Sequence, residues 1–258
     1  MEIGWLDVLV STVLILVAVV LSLWKGLGAE RSILWSAFRA AVQLLVVGLL
    51  FRLIFESASA MTWAWVWVVG MVIVSVEVVK RRAPRIPMVR AGAYAALAGA
   101  LAVCLGIVFG LDVFDLEPVT FVVVAGITLG NTMPSAVLAM DVAARAFTDN
   151  PGRIEGALAL GMDSVAVNRI IAPEAVRAAL IPQIERTKVV GLIALPGAMT
   201  GMLLAGADAF SAVLVQLVIM YLILGAVAIA VVTVVALVGV RAFTADGRLE
   251  EWVRTQSR

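Results

Sequence analysis

Histidine is absent from the 258-residue sequence, cysteine occurs once, as Cys104, and charged residues make up only 14% of the chain. These scarcities exclude intrachain disulfides, the usual zinc sites and any mechanism with histidine as acid or base. The sequence also has no phosphate-binding loop of the Gly-rich Lys-Ser/Thr type, and Gly26-Leu-Gly28 lacks the third glycine of a dinucleotide fingerprint. We therefore expect no enzyme activity and no cofactor bound by this chain.

Apolar residues make up 63% of the chain, far more than a soluble domain of this length could bury in one core. In lipid only helices and closed barrels satisfy every backbone polar group, and a helix needs about 20 residues to cross. The sequence predicts an all-α integral membrane protein, a single permease domain over residues 1–258, with about seven spans: Trp5 to Trp24, Ile33 to Phe55, Met61 to Val79, Gly92 to Leu111, Pro118 to Ala144, Val189 to Ala207 and Ser211 to Val240.

Charge alternates between the connections. Lys and Arg cluster in every second connection, at Lys25 and Arg31, at Lys80 to Arg90, at Arg145 to Lys188 and at Arg241 to Arg258. The charged residues of the other connections are all acidic. The positive-inside rule then predicts an N-out/C-in, multi-pass protein of the inner (plasma) membrane. The net charge of +1 gives no reason to expect a nucleic-acid partner.

The connection from Thr148 to Lys188 is about 40 residues long and still has helical character. Proline after Asp149-Asn150 predicts a helix from Pro151 to Leu160, which Gly161 ends. Asp163 or Ser164 could cap a second helix through Ile171, and Pro173 starts a third. We expect this segment to be the only sizeable cytoplasmic element.

Glu155-Gly-Ala-Leu-Ala-Leu-Gly161, followed by Arg169-Ile-Ile-Ala-Pro173-Glu174, resembles the coupling loop of ABC-transporter permeases, which docks two short helices into a cleft of the ATPase. The resemblance implies an ATPase-coupling role for six residues: Glu155, Gly161, Arg169, Pro173, Glu174 and Arg177. The alternative is an Ala-rich amphipathic segment lying on the membrane surface.

The segments Arg177-Ala-Ala-Leu-Ile-Pro182 and Val189 to Gly201 resemble the signature of FetB-type metal-export ABC permeases, whose plant relatives are linked to aluminium tolerance. The similarity extends to Gly126 to Met133 and to Gln216. It implies a permease subunit that homodimerises, pairs with a cytoplasmic ATPase carrying ATP and Mg²⁺, and exports iron or another metal. Departures at Ala198, Ala209 and Pro134 leave the solute open.

Polar and methionine side chains inside the predicted spans are the candidates for a solute path: Arg39, Gln43, Asn131, Met133, Asp141 and Met199. An arginine deep in a span costs roughly 2.5 to 3.5 kcal/mol on insertion scales, so a functional partner is one explanation for Arg39. Snorkelling to the cytoplasmic headgroups is the other. Without histidine, metal ligands would be amide, carboxylate, thioether and carbonyl groups, which suit weak transient binding, and no metal site is assigned.

Other membrane classes fit less well. A retinal protein needs a lysine in its last span, and the last lysine is Lys188. An intramembrane protease needs a histidine or two membrane aspartates, and apart from Asp7 at the very start of the first predicted span only Asp141 is present. A non-transporting membrane scaffold or sensor regulated by an ATPase is the alternative that stays open.

Overall fold

The computed structural model describes residues 4–82, 89–244 and 246–255. Two of the basic residues used in the topology prediction, Arg85 and Arg258, lie outside these ranges. The regular secondary structure of the described residues is helical, apart from two isolated bridges, Val190 with Ala194 and Phe243 with Leu249. The prediction of an all-α membrane protein is confirmed. The chain divides into two compact units, residues 1–60 and 61–258, and the single permease domain stays a prediction.

The first unit consists of α1 (Trp5–Lys25) and α2 (Glu30–Phe55). Gly26, with φ of +62°, ends α1, and the turn is held by Ser22, whose hydroxyl donates to Glu30 Oε1 at 2.8 Å. At the other end of α2, Arg52 Nε donates to Glu56 Oε1 at 3.1 Å. Within this unit α2 has no buried residue, as expected for a helix whose surface is covered by lipid or protein.

The second unit contains the remaining helices. They are α3 (Ala60–Arg82), α4 (Val89–Gly110), α5 (Pro118–Thr148), α6 (Pro151–Ala159), α7 (Ser164–Val189), α8 (Gly197–Leu204), α9 (Ala209–Arg241) and α10 (Glu251–Thr255). Its core is formed by α4, α5, α7 and α9, whose buried faces are rich in alanine and valine. Small side chains allow membrane helices to approach closely.

Three contacts fix the directions of the core helices. Cys104 Sγ on α4 lies 4.0 Å from Leu222 O on α9, and Gly92 packs on Leu237. Asn168 on α7 packs on Gly239 near the end of α9. Thus α4 and α7 both run antiparallel to α9.

Asp208 caps the start of α9. The backbone N–H and the hydroxyl of Ser211 donate to its carboxylate at 2.9 and 3.2 Å, and these hydrogen bonds, the backbone one first, lower the pKa of the Asp208 carboxyl.

Among the described residues six helices are long and apolar enough to cross a bilayer: α1, α2, α3, α4, α5 and α9. The predicted sixth span, Val189 to Ala207, is not one helix, because α7 ends at Val189, residues 190–196 are non-helical and α8 follows. The physical reason lies in Gly191, with φ of +85°, and in Pro196, which has no N–H to donate to a preceding turn.

The connection from Thr148 to Lys188 has fewer helices in its second half than the sequence predicts. The helix at Pro151 and the cap at Asp163 are confirmed, but the predicted second and third helices are one continuous helix, α7, which contains Pro173 and Pro182. Both prolines are exposed, so the carbonyls that they leave without a helical donor lie on the outer face. The buried face continues past them as Val167, Ile171, Ala175, Ala179 and Gln183.

Candidate functional site

The turn between α6 and α7 is closed by backbone hydrogen bonds. Met162 N–H donates to Ala157 O at 3.1 Å and Gly161 N–H donates to Leu158 O at 3.0 Å, the pair of bonds of a Schellman motif. Gly161 has φ of +88°, a left-handed conformation that strongly favours glycine. The turn therefore has a fixed shape, and the predicted helix-breaking role of Gly161 is confirmed.

The start of α7 is equally well defined. Asp163 Oδ1 accepts the backbone N–H of Ala166 at 2.7 Å. Ile154 of α6 is fully buried, whereas Leu160 at the tip of the turn is 87% exposed.

Glu155 projects from the exposed side of α6 and forms an ion pair with Arg254 of α10, Oε1 to Nη2, at 3.5 Å. The segment that carries Arg254 folds back along α9, because Trp252 Nε1 donates to Arg241 O at 3.0 Å and Phe243 packs edge-on against Phe147 of α5. Sequence reasoning missed this contact.

A cleft of about 680 Å³ separates the α6–α7 turn from the C-terminal segment. Its walls carry both signs of charge: Glu155 and Asp163 lie on the side of the turn, and Asp246, Arg248 and Arg254 lie on the side of the C-terminal segment. The turn and the C-terminal segment thus form one polar surface.

The other predicted coupling residues share one surface of α7. Arg169, Pro173 and Arg177 recur at four-residue spacing, with Glu174 beside them, and all four are exposed. Glu174 also lines a second cleft of about 260 Å³ with Arg145, Asp149 and Arg153. The structure therefore presents the predicted coupling residues on the outside of α6 and α7, and their contacts with an ATPase stay a prediction.

The C-terminal part of α7 lies beside the uncharged stretch 118–140 of α5. Arg186 Nη1 donates to Asn131 Oδ1 at 3.3 Å, and Asn131 lies near the middle of the uncharged stretch 118–140 of α5. At 1.5 Å per residue, Asn131 is about 20 Å from Pro118 and about 26 Å from Thr148. Sequence reasoning counted Arg186 only as a cytoplasmic charge, since no local pattern shows that α7 continues to this depth.

The helical path is interrupted a few residues after Arg186, between the end of α7 at Val189 and the start of α8. Val189 O accepts N–H groups from Leu192, Ile193 and Ala194 at 3.4, 3.1 and 3.4 Å, and α8 starts after Pro196. Non-helical backbone at membrane depth is tolerated only where protein or a water-filled cavity surrounds it. The end of α7, residues 190–196 and α8, taken as one broken crossing, would bring the six long apolar helices to the predicted total of seven. Both the number of crossings and the orientation stay predictions.

The remaining solute-path candidates are dispersed. Asp141 is exposed in the C-terminal part of α5 and accepts from Arg145 Nη2 at 2.7 Å. Met133 and Met199 are each half-buried, on α5 and α8. Arg39 and Gln43 are exposed, one turn apart on α2 of the first unit.

No group of three or more Cys, Asp or Glu side chains that could hold a metal ion occurs in the part of the chain that the structure describes. The donors near the break are instead amides and cations: Asn131, Arg186 and the ion pair between Lys188 Nζ and Glu185 Oε1 at 2.8 Å. This arrangement favours hydrogen bonding of a polar solute over chelation of a bare cation.

Comparison with known proteins gives consistent results. The family model described as "Uncharacterised protein family (UPF0014)" matches residues 5–243. The "UPF0014 membrane protein STAR2" of Oryza sativa subsp. japonica is 33% identical over 87% of this chain and 78% of its own length. The Arabidopsis thaliana "Protein ALUMINUM SENSITIVE 3" is 29% identical over 86% of this chain and 81% of its own. The "Probable iron export permease protein FetB" of Escherichia coli (strain K12) is 27% identical over 83% and 82%. No solved structure matches the chain.

Proposed function

We propose that this chain, which belongs to the UPF0014 family of multi-pass membrane proteins, is an ABC-transporter permease subunit that exports iron or another metal species, powered by ATP hydrolysed on a separate cytoplasmic subunit. One relative, from Escherichia coli, is named as a probable iron export permease. The chain itself carries no phosphate-binding loop, so the ATP and Mg²⁺ belong to the partner.

The α6–α7 turn is the observation that carries this proposal. It has a fixed backbone, an apolar tip at Leu160 and an acidic side chain at Glu155, and it is attached rigidly to α7. Because α7 runs from this turn to the broken crossing, a force applied at the turn would reach residues 190–196 through one continuous helix. A helix of 26 residues spans about 39 Å.

A second copy of the chain completes the proposed transporter. Charged side chains at membrane depth must face water or protein, and Glu185, Arg186 and Lys188 are all exposed in the single chain. A homodimer with this surface toward the symmetry axis would place them around a shared path.

The test is co-purification with ABC ATPases of the same genome, co-expressed one at a time with the tagged permease. We expect one ATPase to remain bound to the wild type and to be lost from Glu155→Lys and from Gly161→Trp, while both variants still insert into the membrane. Arg52→Gln, in the exposed ion pair at the end of α2, is the matched control. Equal retention of the ATPase by all four proteins would remove the coupling role of the turn.

A further inference from the structure

The membrane-depth charges of the second unit point to the chemical class of the solute. Arg186 donates to a neutral partner, Asn131 Oδ1, at 3.3 Å, and its side chain is exposed. Glu185 is adjacent in sequence but pairs with Lys188, whose Nζ lies 2.8 Å from Glu185 Oε1. The three charges therefore sum to one positive charge at this depth of each chain.

The elements that flank α7 supply no compensating carboxylate at this depth. On α3, where Met71 contacts Gly126 and Trp65 contacts Phe121 of α5, Glu77 is level with this part of α5 but is already paired with Arg81 and Arg90. The uncharged stretches 118–140 of α5 and 209–240 of α9, which flank α7, contain no Asp or Glu, and neither does the connection 190–207. Residues 91–110 of α4 also lack acids. Asp141, the nearest acid along α5, is ten residues beyond Asn131, about 15 Å along the helix, and is paired with Arg145.

An arginine in this position is costly unless a partner compensates it. Placing it at the centre of a span costs roughly 2.5 to 3.5 kcal/mol on insertion scales. Asn131 is about 20 Å from Pro118, so it lies about 10 Å inside the nearer face of a hydrocarbon core about 30 Å thick, and a guanidinium that donates to Asn131 lies below the lipid phosphates. A guanidinium is the side chain best matched to carboxylate and phosphate oxygens, which it binds through two parallel hydrogen bonds.

We propose that Arg186 and Asn131 form a subsite for a solute bearing a carboxylate or phosphate group, so that a metal crosses this transporter as an anionic complex. This rests on the proposed function. The guanidinium donates to the oxygens of the anionic group, and the Asn131 amide orients the guanidinium. A bare divalent cation would be repelled by the same charge, and the described residues offer it no cluster of acidic or thiol ligands.

The first experiment measures binding by the permease alone in detergent, so that it does not depend on the ATPase. The probes are citrate, ferric citrate, inorganic phosphate, Fe²⁺ under reducing conditions and Mn²⁺. We expect at least one of the three anions to raise the thermal unfolding midpoint of the wild type. Arg186→Gln should raise the half-saturating concentration of that anion by about tenfold or more, because hydrogen bonds to charged groups are the stronger class.

Two variants separate binding from folding. Arg186→Lys keeps the charge but not the two-donor geometry and should retain part of the affinity. Arg52→Gln removes an arginine that is exposed in an ion pair at the end of α2 and should bind as the wild type does. If Arg186→Gln unfolds without added probe, the comparison between Arg186→Lys and wild type carries the test.

The second experiment uses the co-purified permease–ATPase complex in proteoliposomes. We expect the stabilising anion to stimulate ATP hydrolysis in the wild type and Arg186→Gln to need at least ten times more of it. Stimulation by Fe²⁺ or Mn²⁺ alone, undiminished in Arg186→Gln, would overturn the proposal, as would the absence of any response to all three anions. Failure of any ATPase to co-purify would instead overturn the proposed function and leave the detergent result to decide this one.

Discussion

Glu155 of α6 and Arg254 of α10 form an ion pair at 3.5 Å that joins the α6–α7 turn to the C-terminal segment. Both side chains are about half exposed, 53% and 54%, so the pair contributes little to folding stability, about 0.2 to 1 kcal/mol for pairs of this kind. The pair matters for docking, because the Glu155 carboxylate that we assign to the ATPase contact is already paired with Arg254 of the same chain.

Arg254→Ala and Glu155→Gln should therefore separate these two roles. Arg254→Ala leaves Glu155 available and should retain at least as much ATPase as the wild type in a pull-down. Glu155→Gln keeps the shape but removes the charge, and should retain less. Thermal unfolding midpoints should stay close to the wild type in both, and reduced ATPase retention by Arg254→Ala alone would assign the contact to α10 instead.

Gly161→Val should destabilise the coupling turn. A branched side chain at φ of +88° costs about 1 to 2 kcal/mol in the left-handed region. We expect a lower unfolding midpoint and weaker ATPase association. Gly156→Ala is the control, since Gly156 is exposed within α6, a Cβ there would meet nothing within 4 Å, and alanine favours the helix. A neutral Gly161→Val would mean that the turn has a different shape.

Gly239→Ala tests the packing of α7 on α9. A Cβ at Gly239 would overlap the side chain of Asn168, and overpacking of this kind costs about 1 to 3 kcal/mol. We expect a clear loss of thermal stability in detergent. Adding Asn168→Ala should restore most of it, because the Asn168 Oδ1 atom is buried without a hydrogen-bond partner among the described residues. Gly225→Ala, where a Cβ has free space, should be harmless.

Asn131→Ala should lower transport while leaving assembly intact, since it removes the acceptor for Arg186 at membrane depth. Asp141→Ala should also lower transport, but less, because Asp141 lies toward the C-terminal end of α5 and pairs with Arg145. Flux into inside-out vesicles measures both. Equal, wild-type flux in the two variants would remove α5 from the solute path.

The membrane helices, the Gly161 break and the Asp163 cap could be predicted because each has a local cause: apolar length, a left-handed glycine and a side-chain cap. The broken sixth crossing could not be predicted in the same way. Pro173 and Pro182 indicate helix ends, but packing of the face from Val167 to Gln183 against α5 and α9 keeps α7 continuous. Because α7 extends to Val189, Arg186 lies beside the middle of α5 and not on the predicted cytoplasmic surface. Only the tertiary contacts show this position.

The most direct test of the central claim, that a cytoplasmic ATPase drives this permease through the α6–α7 turn, is site-specific cross-linking. The only native cysteine, Cys104, is buried and can be replaced by alanine, so Leu160→Cys places a unique thiol at the 87% exposed tip of the turn. Leu111→Cys, at the 72% exposed end of α4, is the control on the predicted outer side. With a short bifunctional reagent we expect a permease–ATPase adduct from Leu160→Cys and none from Leu111→Cys. An adduct from Leu111→Cys, or none from Leu160→Cys in a complex that co-purifies intact, would contradict the account.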